Sequence, residues 1–265
     1  MLRSPQKQWL KIASRAVAAG ERVALRAFDI HKHPTLGFKA HHEIVTAADL
    51  KTNDAVKRVL AKLTPQIPVL SEEGGTIETE AALRADLAWV LDPIDGTANY
   101  AMRLPLWGIS LALIRDGEPI LGVISLPALD QRYHAIKDGG AWMGRQRLRA
   151  SRTTALSETL GFLCYGYDDR SKHRGLNAVV SLSPASRSTR HVGAATLEAV
   201  WVASGRADYA VMHGVKPWDV AAGALLVREA GGEVMLPSGK PVRLDHPDMI
   251  YTTPGIRNAV IKHLK

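Results

Sequence analysis

Two aspartates stand three positions apart where an apolar segment must end and turn. Asp92 and Asp95 lie in the run 91–97, Leu-Asp-Pro-Ile-Asp-Gly-Thr. Pro93 fixes one backbone dihedral, and Gly96 can adopt a conformation that other residues avoid. Such a turn can point both carboxylates and a backbone carbonyl at one place, the all-oxygen set that hard divalent cations prefer. The alternative is an ordinary Asp-Pro and Asp-Gly turn with solvated carboxylates.

Three further acidic residues stand at the ends of predicted elements. Glu72 follows a short apolar strand predicted over 67–70, and Asp49 and Asp219 each open a predicted helix. Each has a structural alternative, because an aspartate at a helix start is favoured as a cap and an exposed glutamate is usually solvated. Carboxylates gathered at one place repel each other unless cations lie between them. Convergence of all these residues would therefore indicate a metal centre.

The apolar pattern predicts the elements that position these residues. Helical spacing indicates a helix over 8–28 and a second helix running to residue 63. Apolar runs separated by Asp-Gly turns predict an antiparallel meander between Trp107 and Ile136. The second half predicts strands alternating with helices. Its predicted elements are helices over 193–204 and from 218 to a closing Gly231-Gly232 pair, and a strand over 209–212.

We expect one compact unit with a soft boundary between two lobes. Residues 1–150 form the N-terminal lobe with the metal-binding motifs and the meander, and residues 151–265 form a C-terminal α/β lobe that supplies Asp219 and substrate contacts. The composition, with 46% hydrophobic and 23% charged residues in 265, is typical of a globular protein.

Charge and cysteine content limit the partners and the compartment. The net charge is +8, but the basic residues are scattered and accompany no zinc-finger or RNP-like pattern. A surface that attracts anionic phosphoesters accounts for the charge, so we do not expect nucleic acid to be the main partner. No apolar stretch is long enough to span a membrane, and the first residues lack a signal-peptide core. With Cys164 as its single cysteine, predicted to be a buried structural thiol, the chain suits a reducing cytoplasm.

The acidic motifs together are much more specific than each alone. Ser-Glu-Glu at 71–73, the run 92–97 and Trp-Asp-Val-Ala-Ala-Gly at 218–223, in this order and spacing, resemble the inositol monophosphatase family. Segments 44–49, 190–193 and 228–232 are also similar to family segments, so the resemblance covers nearly the whole chain. It implies an α/β (α+β layered) sugar-phosphatase fold with alternating α-β-α-β-α layers. It further implies a Mg²⁺-dependent, lithium-sensitive phosphomonoesterase that forms a homodimer.

The resemblance also implies a role for each site residue, with two to three Mg²⁺ per site. Glu72, Asp92 and the carbonyl of Ile94 would hold the first ion. Asp92, Asp95 and Asp219 would hold the second, and a third would lie near Glu72 with Asp49 in its outer shell. Thr97 with Glu72 would orient and deprotonate the attacking water. Substrate contacts are implied for Asp95, Gly96, Thr97, Gly193, Ala194, Ala195 and Met212.

The side of the site that binds the alcohol departs from the family pattern. Met212 stands where inositol-specific members carry an acidic residue, and methionine cannot accept hydrogen bonds from ring hydroxyls. We expect a small phosphorylated alcohol resembling inositol-1-phosphate, with histidinol phosphate and fructose-1,6-bisphosphate as alternatives. A rival of another class is a regulatory or RNA-binding protein on the same fold. The roles of Lys39, His213 and Lys216 stay open. His213 and Lys216 could contact the substrate or could be surface residues.

Overall fold

The computed structural model describes residues 4–28, 36–38, 44–241 and 243–264. Lys39 and the histidines at 31, 33, 41 and 42 lie outside these ranges. The helices are α1 (Ser4–Ala27), α2 (Ala47–Leu63), α3 (Thr79–Arg84), α4 (Thr97–Ala101), α5 (Asp169–Leu182), α6 (Ala195–Ala203), α7 (Pro217–Glu229) and α8 (Arg257–His263). No helix in these ranges is both long and apolar enough to cross a membrane.

The strands form two large sheets and one small one. They are β1 (Leu36–Phe38), β2 (Ile44–Thr46), β3 (Val69–Ser71), β4 (Ala88–Asp95), β5 (Gly108–Arg115), β6 (Glu118–Leu126), β7 (Gln131–Ile136), β8 (Gly140–Met143), β9 (Gln146–Arg147), β10 (Leu160–Tyr165), β11 (Ser188–Arg190), β12 (Tyr209–His213), β13 (Glu233–Met235) and β14 (Asp248–Thr252). β1 pairs with β2. The predicted helices, meander and C-terminal alternation of strands and helices are confirmed, with boundaries shifted by a few residues.

The two large sheets differ in strand direction. The seven-stranded sheet has the order β3-β4-β5-β6-β7-β8-β9 and is antiparallel except between β3 and β4. The five-stranded sheet has the order β11-β10-β12-β14-β13, and β11, β10 and β12 run parallel. Helices α1 and α2 cover one face of the larger sheet, α6 and α7 lie between the sheets, and α5 and α8 cover the far face of the smaller sheet. The predicted alternation of five layers is confirmed.

The central strands are buried on both faces because helices cover both. Along β4, Trp89 and Leu91 pack in the cluster with α1 and α2, whereas Val90 packs in the cluster with α6 and α7. Side chains alternate between the faces of a strand, so Asp92 continues the Val90 side, toward α6 and α7. The layer order therefore directs the first aspartate of the motif toward the part of the chain that carries Asp219.

The break between the sheets falls between Arg147 and Leu160, close to the predicted boundary at residue 150. The division into two lobes stays a prediction, since α6 and α7 of the second half pack directly on the sheet of the first. At Gly122 in β6, an added Cβ would lie 2.9 Å from the Cα of Ala222 in α7.

We expect Gly122→Val to lower the free energy of unfolding by about 1–3 kcal/mol, because the new side chain would overpack this contact. Urea denaturation measures the change. Gln146→Val adds the same side chain at an exposed position of β9 and should change stability by no more than about 0.5 kcal/mol. Equal stability of Gly122→Val and the parent protein would contradict the close approach of β6 and α7.

Candidate active site

The motif at 92–97 forms a bulge followed by a left-handed turn. β4 pairs with β5 up to Asp92 opposite Ser110, and pairing resumes only at Asp95. Within the bulge, the Ile94 N–H donates to Asp92 Oδ1 at 3.0 Å. Gly96 has a φ of +82°, which favours glycine. The turn predicted from the proline and glycine is thus present, and it sends the chain from β4 into α4.

Asp95 binds the start of α6. Its carboxylate accepts the N–H groups of Ala195 at 3.2 Å and Thr196 at 2.7 Å, and also the Thr196 hydroxyl. A carboxylate at a helix N-terminus satisfies donors that have no partner inside the helix. The helix starts two residues later than predicted because Gly193 has a φ of +68°. Burial raises the pKa of Asp95 to about 6, against the lowering effect of these hydrogen bonds.

The segment before α6 lies against the motif. A Cβ added to Gly96 would lie 3.0 Å from the Cβ of Ala194. The Asn99 side chain donates to the carbonyls of Leu106 at 2.8 Å and Val192 at 2.7 Å. The predicted substrate residues Gly193, Ala194 and Ala195 are therefore brought to the 92–97 turn from about one hundred positions away in sequence.

Thr97 joins the motif to the start of α2. Its Oγ1 lies 3.0 Å from Asp49 Oδ1 and 2.9 Å from the Ile94 carbonyl oxygen. Asp49 Oδ2 in turn accepts the Thr46 N–H at 2.8 Å and the Thr46 hydroxyl at 2.5 Å. Burial raises the pKa of Asp49. A hydroxyl has one hydrogen to donate, so Thr97 donates to one of these two oxygens at a time.

The acidic residues of the separate motifs are close enough to act on Asp92. Asp92 is 1% exposed. Burial raises the pKa of Asp92 well above its ordinary value, and the charges of four other carboxylates raise it further. These carboxylates belong to Glu72, Asp95, Asp219 and Asp49. Glu72 is placed beside β4 by its N–H, which donates to the Leu91 carbonyl at 3.3 Å. Asp219 lies in the first turn of α7, where its Oδ2 accepts the Lys216 N–H at 2.7 Å.

The carboxylates do not enclose a point as tightly as metal ligands do. Across residues 44–241 and the other described ranges, no three acidic, histidine or cysteine side chains form a group that could hold a metal ion. Asp95 and Asp219 are instead turned to the backbone at the starts of α6 and α7. The chemistry of these side chains nevertheless fits a hard cation, because all the available ligand atoms are oxygens. The neighbouring carboxylates also disfavour the negative charge of the buried Asp92, which a cation would offset.

Three sulfur-containing side chains lie side by side in the five-stranded sheet. Cys164, Met212 and Met249 are cross-strand neighbours on β10, β12 and β14. Met212 is fully buried, so its predicted contact with substrate stays a prediction. Cys164 is half-buried rather than buried. Burial and the carboxylates of Glu198, Asp95 and Asp219 raise the pKa of Cys164, which disfavours the nucleophilic thiolate.

Glu198 is a buried acidic residue that the sequence pattern did not single out. It lies in α6 with no exposed surface, and neither carboxylate oxygen has a hydrogen-bond partner within the described residues. Burial and the charge of Asp95 raise its pKa well above the ordinary value. A glutamate inside a helical segment is usually solvated, and only the packing of α6 between two sheets buries this one.

His213 is buried, so the interpretation as a surface residue is wrong, whereas a contact with substrate stays a prediction. It is 4% exposed, and its Nδ1 lies 2.8 Å from Asp248 Oδ1. The guanidinium of Arg174 in α5 pairs with the other oxygen of Asp248. Burial alone would raise the pKa of Asp248, but His213 and Arg174 hold it below its usual range. Lys216 is exposed at the start of α7.

We expect Asp248→Asn to lower the free energy of unfolding by about 2–3 kcal/mol near neutral pH, because it removes charge-assisted hydrogen bonds. Since the folded pKa of Asp248 is lowered, its stabilising effect is present above the unfolded pKa of about 3.9 and is lost as pH falls through the folded value. The difference between the two proteins, measured by urea denaturation, should therefore shrink below about pH 4. A difference that is constant with pH would contradict the ionised pair.

Comparison with known proteins gives the family. Residues 5–265 match the sequence model of the inositol monophosphatase family. The chain belongs to the inositol monophosphatase family. It is 32% identical over 257 residues to an inositol-1-monophosphatase of Mesorhizobium japonicum, covering 97% of this chain and 96% of the relative. A solved inositol monophosphatase structure from Anabaena superposes with a TM-score of 0.87 at 28% identity, covering 98% of this chain and 96% of the other.

Other relatives have different names. A fructose-1,6-bisphosphatase/inositol-1-monophosphatase of Thermotoga maritima is 34% identical, covering 85% of this chain and 83% of the relative. A Nus factor SuhB of Xylella fastidiosa is also 34% identical, covering 86% of this chain and 82% of the relative. Membership of the family makes the protein a phosphatase, that is, a phosphoric monoester hydrolase.

Proposed function

We propose that this phosphatase uses Mg²⁺ to hydrolyse a small phosphorylated alcohol to the alcohol and inorganic phosphate. The observation that carries the proposal is the burial of the Asp92 carboxylate at the 92–97 turn, and the charges of four further carboxylates raise its pKa. Such a cluster is costly to bury unless cations neutralise it. The residues that would hold the ions are Glu72, Asp92, Asp95, Asp219 and the carbonyl of Ile94.

Residues of the chain itself would orient the water and contact the phosphate beside the proposed ions. When bound, Mg²⁺ supplies charge neutralisation and a lowered pKa of coordinated water. Thr97, held by Asp49 and the Ile94 carbonyl, has a hydroxyl that can take part in orienting water and passing its proton toward a carboxylate, with Glu72 and Asp49 as the candidates. The N–H groups of Gly96 and Thr97, at the start of α4, would face the phosphate.

The alcohol side favours a substrate with few hydroxyl contacts at the β12 end. Met212 offers no carboxylate to ring hydroxyls there, and it is buried together with its cross-strand neighbour Met249. We propose contacts to the alcohol from Gly193, Ala194 and Ala195, which lie against the motif. Inositol-1-phosphate, histidinol phosphate and fructose-1,6-bisphosphate remain the candidates. Phosphate release from these compounds, from glycerol phosphates and from nucleotide monophosphates would rank them.

We expect removal of divalent cations with EDTA to abolish phosphate release, and added Mg²⁺ to restore it. Asp95→Asn and Asp219→Asn should each lower kcat/KM by more than about 100-fold, since even residues behind metal ligands can cost 10–100-fold. Asp116→Asn, at an exposed turn, serves as the control and should keep normal activity. Normal turnover by either of the first two variants would refute the metal assignment. Circular dichroism checks that the variants are folded.

We expect Thr97→Val to lower kcat by about 100-fold or more, the usual contribution of a proton-transfer group. Thr97→Ser keeps the hydroxyl and should retain most of the activity. Steady-state kinetics with the best substrate separates kcat from KM. If valine and serine reduced kcat equally, the hydroxyl would have no part in the reaction, and Thr97 would serve only to begin α4.

A regulatory function is the second candidate, favoured by the relative named Nus factor SuhB and by the net charge of +8. Binding to single-stranded RNA that weakens steeply with salt, without metal-dependent release of phosphate from any compound, would support it over the enzyme. Retention of every carboxylate of the proposed metal site supports the enzyme.

A further inference from the structure

An open groove runs between α1 and α2 on the face turned away from the seven-stranded sheet. One stretch has a volume of about 500 Å³ and is lined by residues of both helices: Val23, Arg26 and Ala27 from α1, and Lys51, Asp54, Ala55 and Arg58 from α2. An adjoining stretch of about 270 Å³ continues toward Ala19 and Val59. The two stretches form one groove, because they share Val23, Arg26, Ala55 and Arg58.

The floor of the groove is apolar and follows helical spacing. On α1 it is formed by Ala19, Val23 and Ala27, and on α2 by Ala55 and Val59. Positions four apart lie on one face of a helix. From Ala19 to Ala27 the floor is about 12 Å long, at 1.5 Å per residue, which matches about two turns of a bound helix. The groove thus has the form in which an amphipathic helix is held.

The rim of the groove carries an excess of positive charge. Arg22, Arg26, Lys51 and Arg58 line it, and the only acidic residue among the lining residues is Asp54. All five side chains are exposed. None of the four cations forms an ion pair within the described part of the chain. Unpaired cations beside an apolar floor favour a ligand that is both acidic and apolar.

We propose that the α1–α2 groove binds an acidic amphipathic helix of a partner protein. Apolar side chains of that helix, at i, i+3 or i+4 and i+7, would lie on the floor, and its flanking carboxylates would pair with Arg22, Arg26, Lys51 and Arg58. The helix α2 faces the active site with its other side, where Asp49 and Asn53 are buried. The groove is therefore separate from the proposed metal ligands and does not depend on the proposed function.

Charge disfavours two other occupants. A second copy of this chain carries a net charge of +8 and would bring positive charge to a positive rim. The segment 29–43 of the same chain contains Lys32, Lys39 and four histidines against only Asp29 and Glu43, so its charge does not complement the rim. A nucleic acid would match the charge, but its phosphates make no use of the apolar floor.

The test uses a fluorescein-labelled peptide of about 14 residues, or about four helical turns, with leucines at i, i+3, i+4 and i+7 and glutamates on both flanks. A control peptide carries lysines in place of the glutamates. Fluorescence anisotropy with the full chain should show binding of the glutamate peptide with a Kd below about 1 mM and none of the lysine peptide. The double variant Arg26→Glu/Arg58→Glu should bind at least about tenfold more weakly.

Two further variants separate the groove from general electrostatics. Arg145→Glu/Arg187→Glu makes the same charge change at exposed positions elsewhere and should bind as the parent does. Ala55→Trp fills the floor without changing charge and should weaken binding as the double groove variant does. Phosphate release should be the same for all variants.

Three results would overturn the proposal. The first is a Kd above about 1 mM for the glutamate peptide, or equal weakening of its binding by Arg26→Glu/Arg58→Glu and Arg145→Glu/Arg187→Glu. The second is that the parent protein binds a single-stranded RNA oligonucleotide but not the glutamate peptide, and that the groove variants lose the RNA. This result would assign the groove to nucleic acid. The third is dissociation of a parent dimer by Arg26→Glu/Arg58→Glu in sedimentation velocity, which would make the groove a contact between copies.

Discussion

The carboxylate of Asp95 accepts both N–H groups at the start of α6, and through this contact the sheet of the first half and the helices of the second half share one site. Asp95 ends β4, so its position depends on the bulge and on the left-handed turn at Gly96. The segment with Gly193 and Ala194 then lies against the same turn. The arrangement of the proposed active site follows from this single capping contact between distant parts of the chain.

A cluster of buried carboxylates is unfavourable in the absence of compensating charge. Burial raises the pKa values of Asp92, Asp95 and Asp49, and the neighbouring carboxylates raise that of Asp92 further. The fold tolerates the cluster because backbone donors bind Asp95 and Asp219 and because Thr46 binds Asp49. The same unfavourable electrostatics would give the proposed site its affinity for cations, since a bound divalent ion would relieve the repulsion. Stability and function thus place opposite demands on these residues.

Helices α1 and α2 each have one face packed in the core and another face that lines the groove. The buried faces of α1 and α2 pack so closely that an added Cβ at Gly20 would lie 2.8 Å from Val56 Cγ2. Their outward faces diverge into the groove with the cationic rim. Asp49 and Lys51, two positions apart on α2, serve different surfaces because successive helical residues point in different directions.

The sequence by itself determined the local features of this protein. The helices and strands predicted above, the turn at 92–97 and the identity of the carboxylates could be read from it, because helical and strand periodicity, Pro93 and Gly96 act over a few residues. Helices α5 and α8 and strands β13 and β14 were not predicted. Only the tertiary structure decided which of these groups meet and which are buried. Glu198 has no exposed surface and His213 pairs with Asp248, although both are ordinary polar residues in the sequence. The physical reason is that burial and charge coupling depend on residues far apart in sequence, 35 positions for His213 and Asp248 and 100 for Asp95 and Ala195, which no local pattern encodes.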